Sequence, residues 1–222
     1  MIWRVLLLVW IAAAIVAGFA WAPLVPVLQE TTRVFYFHFP SALVTVIALA
    51  WSMLHSVLYL ARRDLRHDDH AAVAAELGLL FCIGAAVSGS MWAKAMWGAY
   101  WNWDPRETSI FFLLLIYGAY LALRTSVEGV ERRARLSAIY SVAAFVTVPF
   151  LIFVVPRIYD SLHPDPLFNQ RGKADIDPRI MLVAFAMVVG FTGLFAWLLS
   201  LRLRLARVER RRLEARTTGS DL

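Results

Sequence analysis

The chain has 222 residues, of which 60% are hydrophobic and 17% are charged. Soluble domains contain roughly 45–50% apolar and about 25% charged residues, so this composition excludes a water-soluble globule and a disordered chain. The 22 basic and 16 acidic residues give a net charge of +6. The basic residues lie mainly between and after apolar runs, which indicates membrane topology and excludes nucleic acid as the expected partner. Cys82 is the single cysteine, so no internal disulfide and no CxxC or CxxCH motif is possible.

Six runs without Asp, Glu, Lys or Arg follow one another along the chain. They cover residues 5–29, 34–61, 77–93, 108–123, 136–156 and 180–201. A membrane helix needs about 20 mostly apolar residues. We therefore predict an all-α, polytopic membrane protein in which residues 1–222 form a single domain of six transmembrane helices. The third and fourth runs have only 17 and 16 residues, so Lys94 and Glu107 are expected at headgroup level.

The distribution of Lys and Arg predicts the orientation of these spans. The N-terminal residues, alternate connections and the basic tail at 202–222 contain 15 of them, and the other connections contain 7. Basic residues near span ends are retained in the cytoplasm, so we expect both termini and the tail to be cytoplasmic. A cleaved signal peptide is an alternative for the first run, but its 25 residues exceed the usual apolar region of about 7 to 15.

A tryptophan-rich segment at residues 92–108 lies on the predicted outward side. Four of the nine tryptophans fall within twelve residues, at Trp92, Trp97, Trp101 and Trp103. An aromatic belt places one or two aromatic residues at each span end. We therefore interpret this density as a flat stacking surface for a planar, largely apolar ligand.

The end of this segment also predicts how the fourth span begins. Asp104 is a candidate N-cap, Pro105 fits the first helical position, and Glu107 fits the third position of a capping box. Arg106 is less expected, because a cation is disfavoured at the positive end of a helix dipole. It is a candidate partner for a ligand carboxylate.

The five histidines differ in their expected surroundings. His67 and His70 lie in a charged connection and are expected to be solvated. His55 is 17 residues from His38 on the same span, roughly 25 Å along a helix, so the two cannot bind one small ligand. His38 and His163 are the outward histidines.

Two imidazoles beside indoles suggest haem, whose iron accepts axial histidine nitrogen. Zinc is a weaker alternative because a zinc site needs at least three protein ligands, and only carboxylates such as Asp160 and Asp165 are available besides the two histidines. The haem propionates require cations, and those available on this side are Lys94, Arg106, Arg157, Arg171 and Lys173.

The sequence resembles the CcmC family of cytochrome c maturation proteins. FYFHFPSA, WGAYWNWDPRETS and a histidine in the last outward connection carry this resemblance, which covers essentially the whole chain. It implies that haem b is held at the periplasmic face of the bacterial inner membrane, with His38 and His163 as axial ligands. The implied platform consists of Trp97, Gly98, Trp101, Trp103 and Asp104.

The resemblance also implies partners. Members of the family pass haem to the periplasmic haem chaperone CcmE and work beside the ABC-transporter subunits CcmA and CcmB and the small protein CcmD. On this basis the chain is expected to lie in membrane lipid, to bind and transfer haem at the periplasmic face, and not to act as an enzyme.

One residue departs from the CcmC pattern. Glu107 stands where these proteins usually have leucine, and the resulting Asp-Pro-Arg-Glu-Thr resembles the larger CcsA-type haem lyases. A lyase that attaches haem to apocytochrome is therefore the enzymatic alternative. Those relatives have more spans and additional histidines, which favours CcmC for this chain. A permease subunit for another small substrate, with the tryptophans as an interfacial belt, is a second alternative.

Overall fold

The computed structural model describes residues 2–26, 28–163 and 177–219, with side chains as far as residue 208. Over these residues every regular element is helical. The elements are α1 (Ile2–Ala20), a 3-10 turn (Gln29–Thr31), α2 (Thr32–Arg62), α3 (Leu65–Trp97), α4 (Pro105–Ser126), α5 (Val130–Pro149), a π-helical stretch (Phe150–Val154), α6 (Val155–Ile158) and α7 (Pro178–Gly219). Six helical segments are long and apolar enough to cross a membrane. This confirms the prediction of an all-α protein with six spans.

The helices differ from the charge-free runs in their lengths. α1 ends at Ala20, although the first run continues to Gln29, because prolines at 23 and 26 cannot continue a helix. α3 has 33 residues and α4 has 22, so the runs of 17 and 16 residues are only the least polar parts of longer helices. Lys94 lies in the last turn of α3, and Glu107 lies in the first turn of α4.

α2 lies at the centre of the bundle and packs against α3, α5 and α7. A Cβ added to Gly78 of α3 would lie 2.7 Å from Cδ2 of Leu49 in α2, so these helices approach too closely for a side chain there. Ser52 of α2 and Ser141 of α5 share a buried hydrogen bond of 3.1 Å. Small residues and hydroxyl contacts of this kind hold helices together in lipid, where apolar burial gives no advantage. Small buried residues of α3 are Ala71, Ala74, Ala75, Gly78 and Ala85.

Arg33 joins the end of α1 to the beginning of α2. Its Nη1 donates to the carbonyl oxygens of Gly18 at 2.9 Å and Phe19 at 2.6 Å, and its Nε donates to Glu30 at 2.7 Å. The last carbonyls of a helix have no partner within it and carry partial negative charge. Arg33 therefore caps α1 and fixes it beside α2.

A two-residue turn joins α2 to α3. Arg63 takes the left-handed conformation with φ 56°, and the Asp64 carboxylate accepts the Arg66 backbone N–H as the N-cap of α3. This hairpin brings His67 and His70 against His55, with His55 and His70 stacked at 4.4 Å between ring centroids. The expectation that His67 and His70 are simple solvated side chains was wrong, because the sequence does not show that the turn folds α3 back onto α2.

A buried ion pair joins α3 to α4 at the same end of the bundle. Arg124 donates to both carboxylate oxygens of Asp68, at 2.7 and 3.0 Å. The side chains are only 14% and 5% exposed. Two parallel hydrogen bonds of this kind fix both distance and orientation, so the pair sets how α4 lies on α3.

We expect Asp68→Ala to destabilise the protein by about 3–5 kcal/mol, because it leaves the Arg124 guanidinium buried without its counter-charge. The measurement is thermal or denaturant unfolding of the detergent-solubilised chain. Glu76→Ala is the matched control, since Glu76 pairs from the same helix with Arg202 in a half-exposed position and should cost at most about 1 kcal/mol. Equal effects of the two substitutions would contradict this prediction.

Candidate functional site

The tryptophan-rich segment makes a short connection between α3 and α4, at residues 98–104. Gly98 ends α3 with φ +81°, a conformation that glycine adopts without strain. Its N–H donates to the Lys94 carbonyl at 3.1 Å, and the Lys94 ammonium donates to the Gly98 carbonyl at 2.7 Å. The chain therefore leaves α3 in a fixed direction.

Asp104 begins α4, as predicted. Its Oδ1 accepts the Arg106 backbone N–H at 2.9 Å, and Pro105 follows at the first helical position. The predicted capping box also requires Glu107 to accept the backbone N–H of Asp104, and this part of the prediction was wrong. Glu107 Oε2 accepts the N–H of Asn102 instead, at 2.7 Å. The intervening Trp103 has φ 57°, which turns the chain and presents Asn102 to the carboxylate.

His38 lies in α2, where its ring is oriented by α3. Its Nδ1 is 3.0 Å from the Ala85 carbonyl oxygen and 3.2 Å from Ser88 Oγ. Because a carbonyl oxygen can only accept, Nδ1 carries the proton, and in the neutral ring Nε2 keeps its lone pair. The Trp92 ring contacts the imidazole edge-on at 5.9 Å. A Cβ at Gly89 would lie 2.9 Å from His38 Cε1, so glycine there makes room for the ring.

His163 is held by the same carboxylate that begins α4. Its Nδ1 is 2.9 Å from Asp104 Oδ1, while Oδ2 of Asp104 accepts Ser161 Oγ at 2.9 Å and the Leu162 N–H at 2.7 Å. The Asp104 side chain is 1% exposed. The Trp97 ring lies 4.8 Å from the imidazole. The segment after α6 is therefore fastened to the start of α4.

The charges of this pair follow from burial and hydrogen bonding. Burial lowers the pKa of His163 to about 4; Asp104 opposes this shift, and the positive charge of Arg106 adds to it. Burial alone would raise the pKa of Asp104, but hydrogen bonds from the Arg106 N–H, Ser161 and Leu162 hold it below its usual value. At pH 7 a neutral imidazole thus donates Nδ1–H to a carboxylate, and Nε2 carries the lone pair of the ring. Metal-binding histidines are oriented in this way by carboxylates.

The predicted tryptophans do not form one flat layer. Trp92 and Trp97 contact the two histidines, whereas Trp101 and Trp103 lie perpendicular to each other with ring centroids 5.8 Å apart. Both also contact Phe111 of α4 edge-on. The expected flat surface is therefore absent: two indoles lie beside the imidazoles, and the other two pack against α4. Edge-to-face contact is a favourable arrangement of aromatic rings, which accounts for the packing of the second pair.

The cations predicted to bind the haem propionates differ in their contacts and in their distance from the histidines. Arg106 lies close enough to His163 to influence its protonation. Lys94 is bound to Gly98 and lies 5.6 Å from the Tyr100 ring, and Arg157 donates to the Phe153 carbonyl. Asp160, considered for zinc, is exposed. Asp165, Arg171 and Lys173, considered for zinc or propionate binding, lie outside the described residues.

No group of three or more His, Cys, Asp or Glu side chains within the described ranges could hold a metal ion. Zinc needs at least three such ligands, whereas haem iron requires only one or two axial ligands from the protein. The arrangement of His38 and His163 suits a ligand that brings most of the metal's coordination with it.

Sequence reasoning missed three features of the site. The Asp104–His163 contact joins residues 59 positions apart, and no local pattern indicates it. The Ala85 carbonyl is a main-chain group, which every residue type carries, so the sequence cannot predict its role. Gly89, in the stretch Ser88-Gly89-Ser90, is the one feature with a visible signal, since glycine inside a long helix often marks close packing.

Comparison with known proteins identifies the family. A family model described as heme exporter protein C matches residues 1–218. The chain belongs to the heme exporter protein C family. It is similar to heme exporter protein C of Rhodobacter capsulatus, with 29% identity over 94% of this chain and 89% of that protein.

Two other relatives carry the same name. The protein from Bradyrhizobium diazoefficiens is 30% identical over 76% of this chain, and the chain spans 64% of that relative's length. The protein from Escherichia coli is 28% identical over 84% of this chain and 75% of that protein. The family resemblance proposed from the sequence motifs is thereby confirmed, and the protein is a multi-pass membrane protein of a haem-handling family.

We expect Asp104→Asn to loosen the connection between the start of α4 and residues 161–163. A charge-assisted hydrogen bond to the carboxylate contributes about 1.5–3 kcal/mol, so its loss should speed amide exchange of Leu162 by roughly ten- to a hundredfold. Hydrogen–deuterium exchange followed by mass spectrometry measures this. Asp160→Asn removes a neighbouring exposed carboxylate and is the control; comparable exchange in both variants would show that Asp104 does not hold the segment.

Proposed function

We propose that this chain binds haem b between His38 and His163, on the periplasmic side of the bacterial inner membrane, and passes it to a haem chaperone of the CcmE type. One observation carries the proposal. At one end of the bundle two imidazoles each have Nδ1 bonded to the protein, His38 to the Ala85 carbonyl and His163 to Asp104. We propose that Nε2 of each ring, the nitrogen not used in these contacts, binds the common ligand.

The surroundings of the two imidazoles fit a porphyrin. Trp92 and Trp97 supply apolar ring surface beside the histidines. Arg106 adds a positive charge in the same place, which suits a propionate carboxylate. The described residues of the site supply axial ligands, charge and apolar contact, and we propose binding and transfer as the activity, without covalent chemistry on the haem.

Transfer to a partner requires an accessible edge of the site. Large apolar side chains are exposed around it: Tyr100 by 61%, Trp103 by 69%, Tyr159 by 63% and Leu162 by 56%. Exposed aromatic residues are favoured at protein interfaces. We propose that the haem chaperone docks on this rim, while CcmA, CcmB and CcmD associate with the membrane-spanning helices.

We expect the purified wild-type chain to bind added haem with the absorption spectrum of a bis-histidine complex. His38→Ala and His163→Ala should each remove one axial ligand and shift the Soret band, and added imidazole should restore the spectrum by replacing the missing ring. Absorption titration in detergent measures both effects. A wild-type spectrum in the His38→Ala/His163→Ala double variant would overturn the proposal.

Co-expression with an apocytochrome alone separates transfer from lyase activity. Transfer leaves the apocytochrome without covalently attached haem, whereas a lyase produces a haem-stained band that survives denaturing electrophoresis. Appearance of that band would favour the CcsA-type alternative.

We expect Gly89→Ala to weaken haem binding by about tenfold, as substitutions that disturb the orientation of a metal-binding histidine commonly do. The new methyl group would lie 2.9 Å from His38 Cε1 and push the ring off its hydrogen bond. Gly84→Ala is the matched control on the same helix, because its nearest neighbour is Ser41 Oγ at 3.8 Å. Haem titration of the two variants measures the effect, and equal affinities would contradict this prediction.

A further inference from the structure

Three histidines pack together at the end of the bundle opposite His38, where the turn joins α2 to α3. His55 of α2 stacks on His70 of α3, with ring centroids 4.4 Å apart. Nδ1 of His55 lies 3.1 Å from Nδ1 of His67, so one of these rings donates a hydrogen bond to the other. All three residues are partly buried. His55, His67 and His70 are called the histidine cluster below.

The histidine cluster lines a cavity of about 490 Å³, a size typical of small-molecule sites. Every side chain that lines it is ionisable, and the other three are Arg62, Asp64 and Arg66. An apolar ligand does not suit this wall, because it would remove water from charged groups without replacing their hydrogen bonds. A bare metal ion does not suit it either, since the described side chains include no set of three or more His, Cys, Asp or Glu able to hold one. The lining fits a polar ligand.

The charges around the cavity favour an anion. Arg66 is bound to Asp64, with Nη2 2.8 Å from Oδ2, so these two charges offset each other. Arg62 is exposed at the end of α2 and forms no ion pair with a carboxylate of the described residues. Arg207 of α7 and Asp69 of α3 lie within electrostatic range of the histidine cluster. Three guanidinium groups therefore stand against two carboxylates.

The lining also supplies hydrogen-bond donors. In the His55–His67 pair, the neutral ring that accepts through Nδ1 carries its proton on Nε2, so one N–H remains that the pair does not use. Guanidinium groups bind phosphate oxygens through two parallel N–H bonds. A phosphate group combines negative charge with several acceptor oxygens, and it therefore matches this lining.

Apolar surface of α2 adjoins the histidine cluster. The Trp51 ring lies 5.0 Å from the ring of His55 and 6.4 Å from that of His70. Trp51 is 38% exposed and Leu54 is 54% exposed, and both belong to a helix long and apolar enough to span the membrane. Basic pockets between membrane helices bind anionic lipid headgroups. A phospholipid with its phosphate in the cavity would lay its acyl chains on this surface.

We propose that the cavity at the α2–α3 turn binds the phosphate group of an anionic ligand. Arg62 supplies the charge that the protein does not neutralise, and His67 supplies a hydrogen bond. The same group is offered by an anionic phospholipid and by a soluble phosphate ester, and the apolar surface beside the cluster favours the lipid. The site lies roughly 25 Å along α2 from His38, so it is separate from the proposed haem site and independent of it.

The test is native mass spectrometry of the full-length, delipidated chain in detergent, titrated with dioleoylphosphatidylglycerol. We expect Arg62→Gln and His67→Leu each to weaken binding of the first lipid about five- to tenfold, since each removes a donor to the phosphate. Arg132→Gln is the matched control and should leave the affinity unchanged. Arg132 is an exposed arginine of α5 at the same end of the bundle, where Tyr59 contacts Glu131, and it does not line the cavity.

Two further ligands identify the source of the phosphate. Dioleoylphosphatidylcholine has the same acyl chains, but its choline cation offsets the phosphate charge, so it should bind the wild-type chain more weakly. Glycerol phosphate is the headgroup without acyl chains. Displacement of the bound lipid by millimolar glycerol phosphate would assign the site to soluble phosphate esters, and failure to displace it would assign the site to phospholipid.

Three results would overturn the phosphate site. They are wild-type affinity in both Arg62→Gln and His67→Leu, equal losses in Arg62→Gln and Arg132→Gln, and equal binding of the phosphatidylcholine and the phosphatidylglycerol. The second would show attraction by net charge alone, and the third would show unselective lipid contact. Unfolding temperatures verify that the variants are folded, and Arg62→Gln, at an exposed position, decides the test if His67→Leu does not fold.

Discussion

The Asp104 carboxylate is the interaction on which the rest of the site depends. One buried side chain begins α4, fixes the backbone at Leu162 and accepts the Nδ1–H of His163. Donors bond to both of its oxygens, and together they keep the carboxylate ionised despite its burial. The end of the tryptophan-rich connection and the segment after α6 are thereby joined at a single point. Both the position of His163 and the tautomer of its neutral ring follow from that point.

The two candidate axial histidines are held by different acceptors, which gives them different chemistry. His38 donates to a neutral carbonyl, whereas His163 donates to a carboxylate. A carboxylate acceptor makes the ring a stronger base toward a metal than a carbonyl acceptor does. His38 is embedded in the membrane-spanning part of α2, while His163 lies in a connection. The pair therefore combines a ligand fixed by helix packing with one fixed by charge.

The sequence was sufficient for the parts of the fold that depend on local composition. Six spans were predictable because charge is excluded from apolar helices, and Asp104 was predictable as an N-cap because its role involves residues two positions away. The true lengths of α3 and α4 were not predictable from the charge-free runs. Helices continue past the apolar stretch with charged residues, such as Asp68 and Glu76 in α3. The contacts of His163 with Asp104 and of His67 with His55 were also missed. They depend on how connections fold back, which periodicity does not encode.

The tryptophan-rich connection is tied at both ends, by Gly98 to the last turn of α3 and by Asp104 to the first turn of α4. It has seven residues, and one of them, Trp103, occupies a left-handed conformation. A connection fixed in this way behaves as part of the rigid scaffold. Its indoles therefore lose their conformational entropy when the protein folds, and ligand binding does not have to order them again. Gaining or losing a single residue here would shift Trp101 or Trp103 relative to the two fixed ends, so the positions of these indoles depend on the length of the connection.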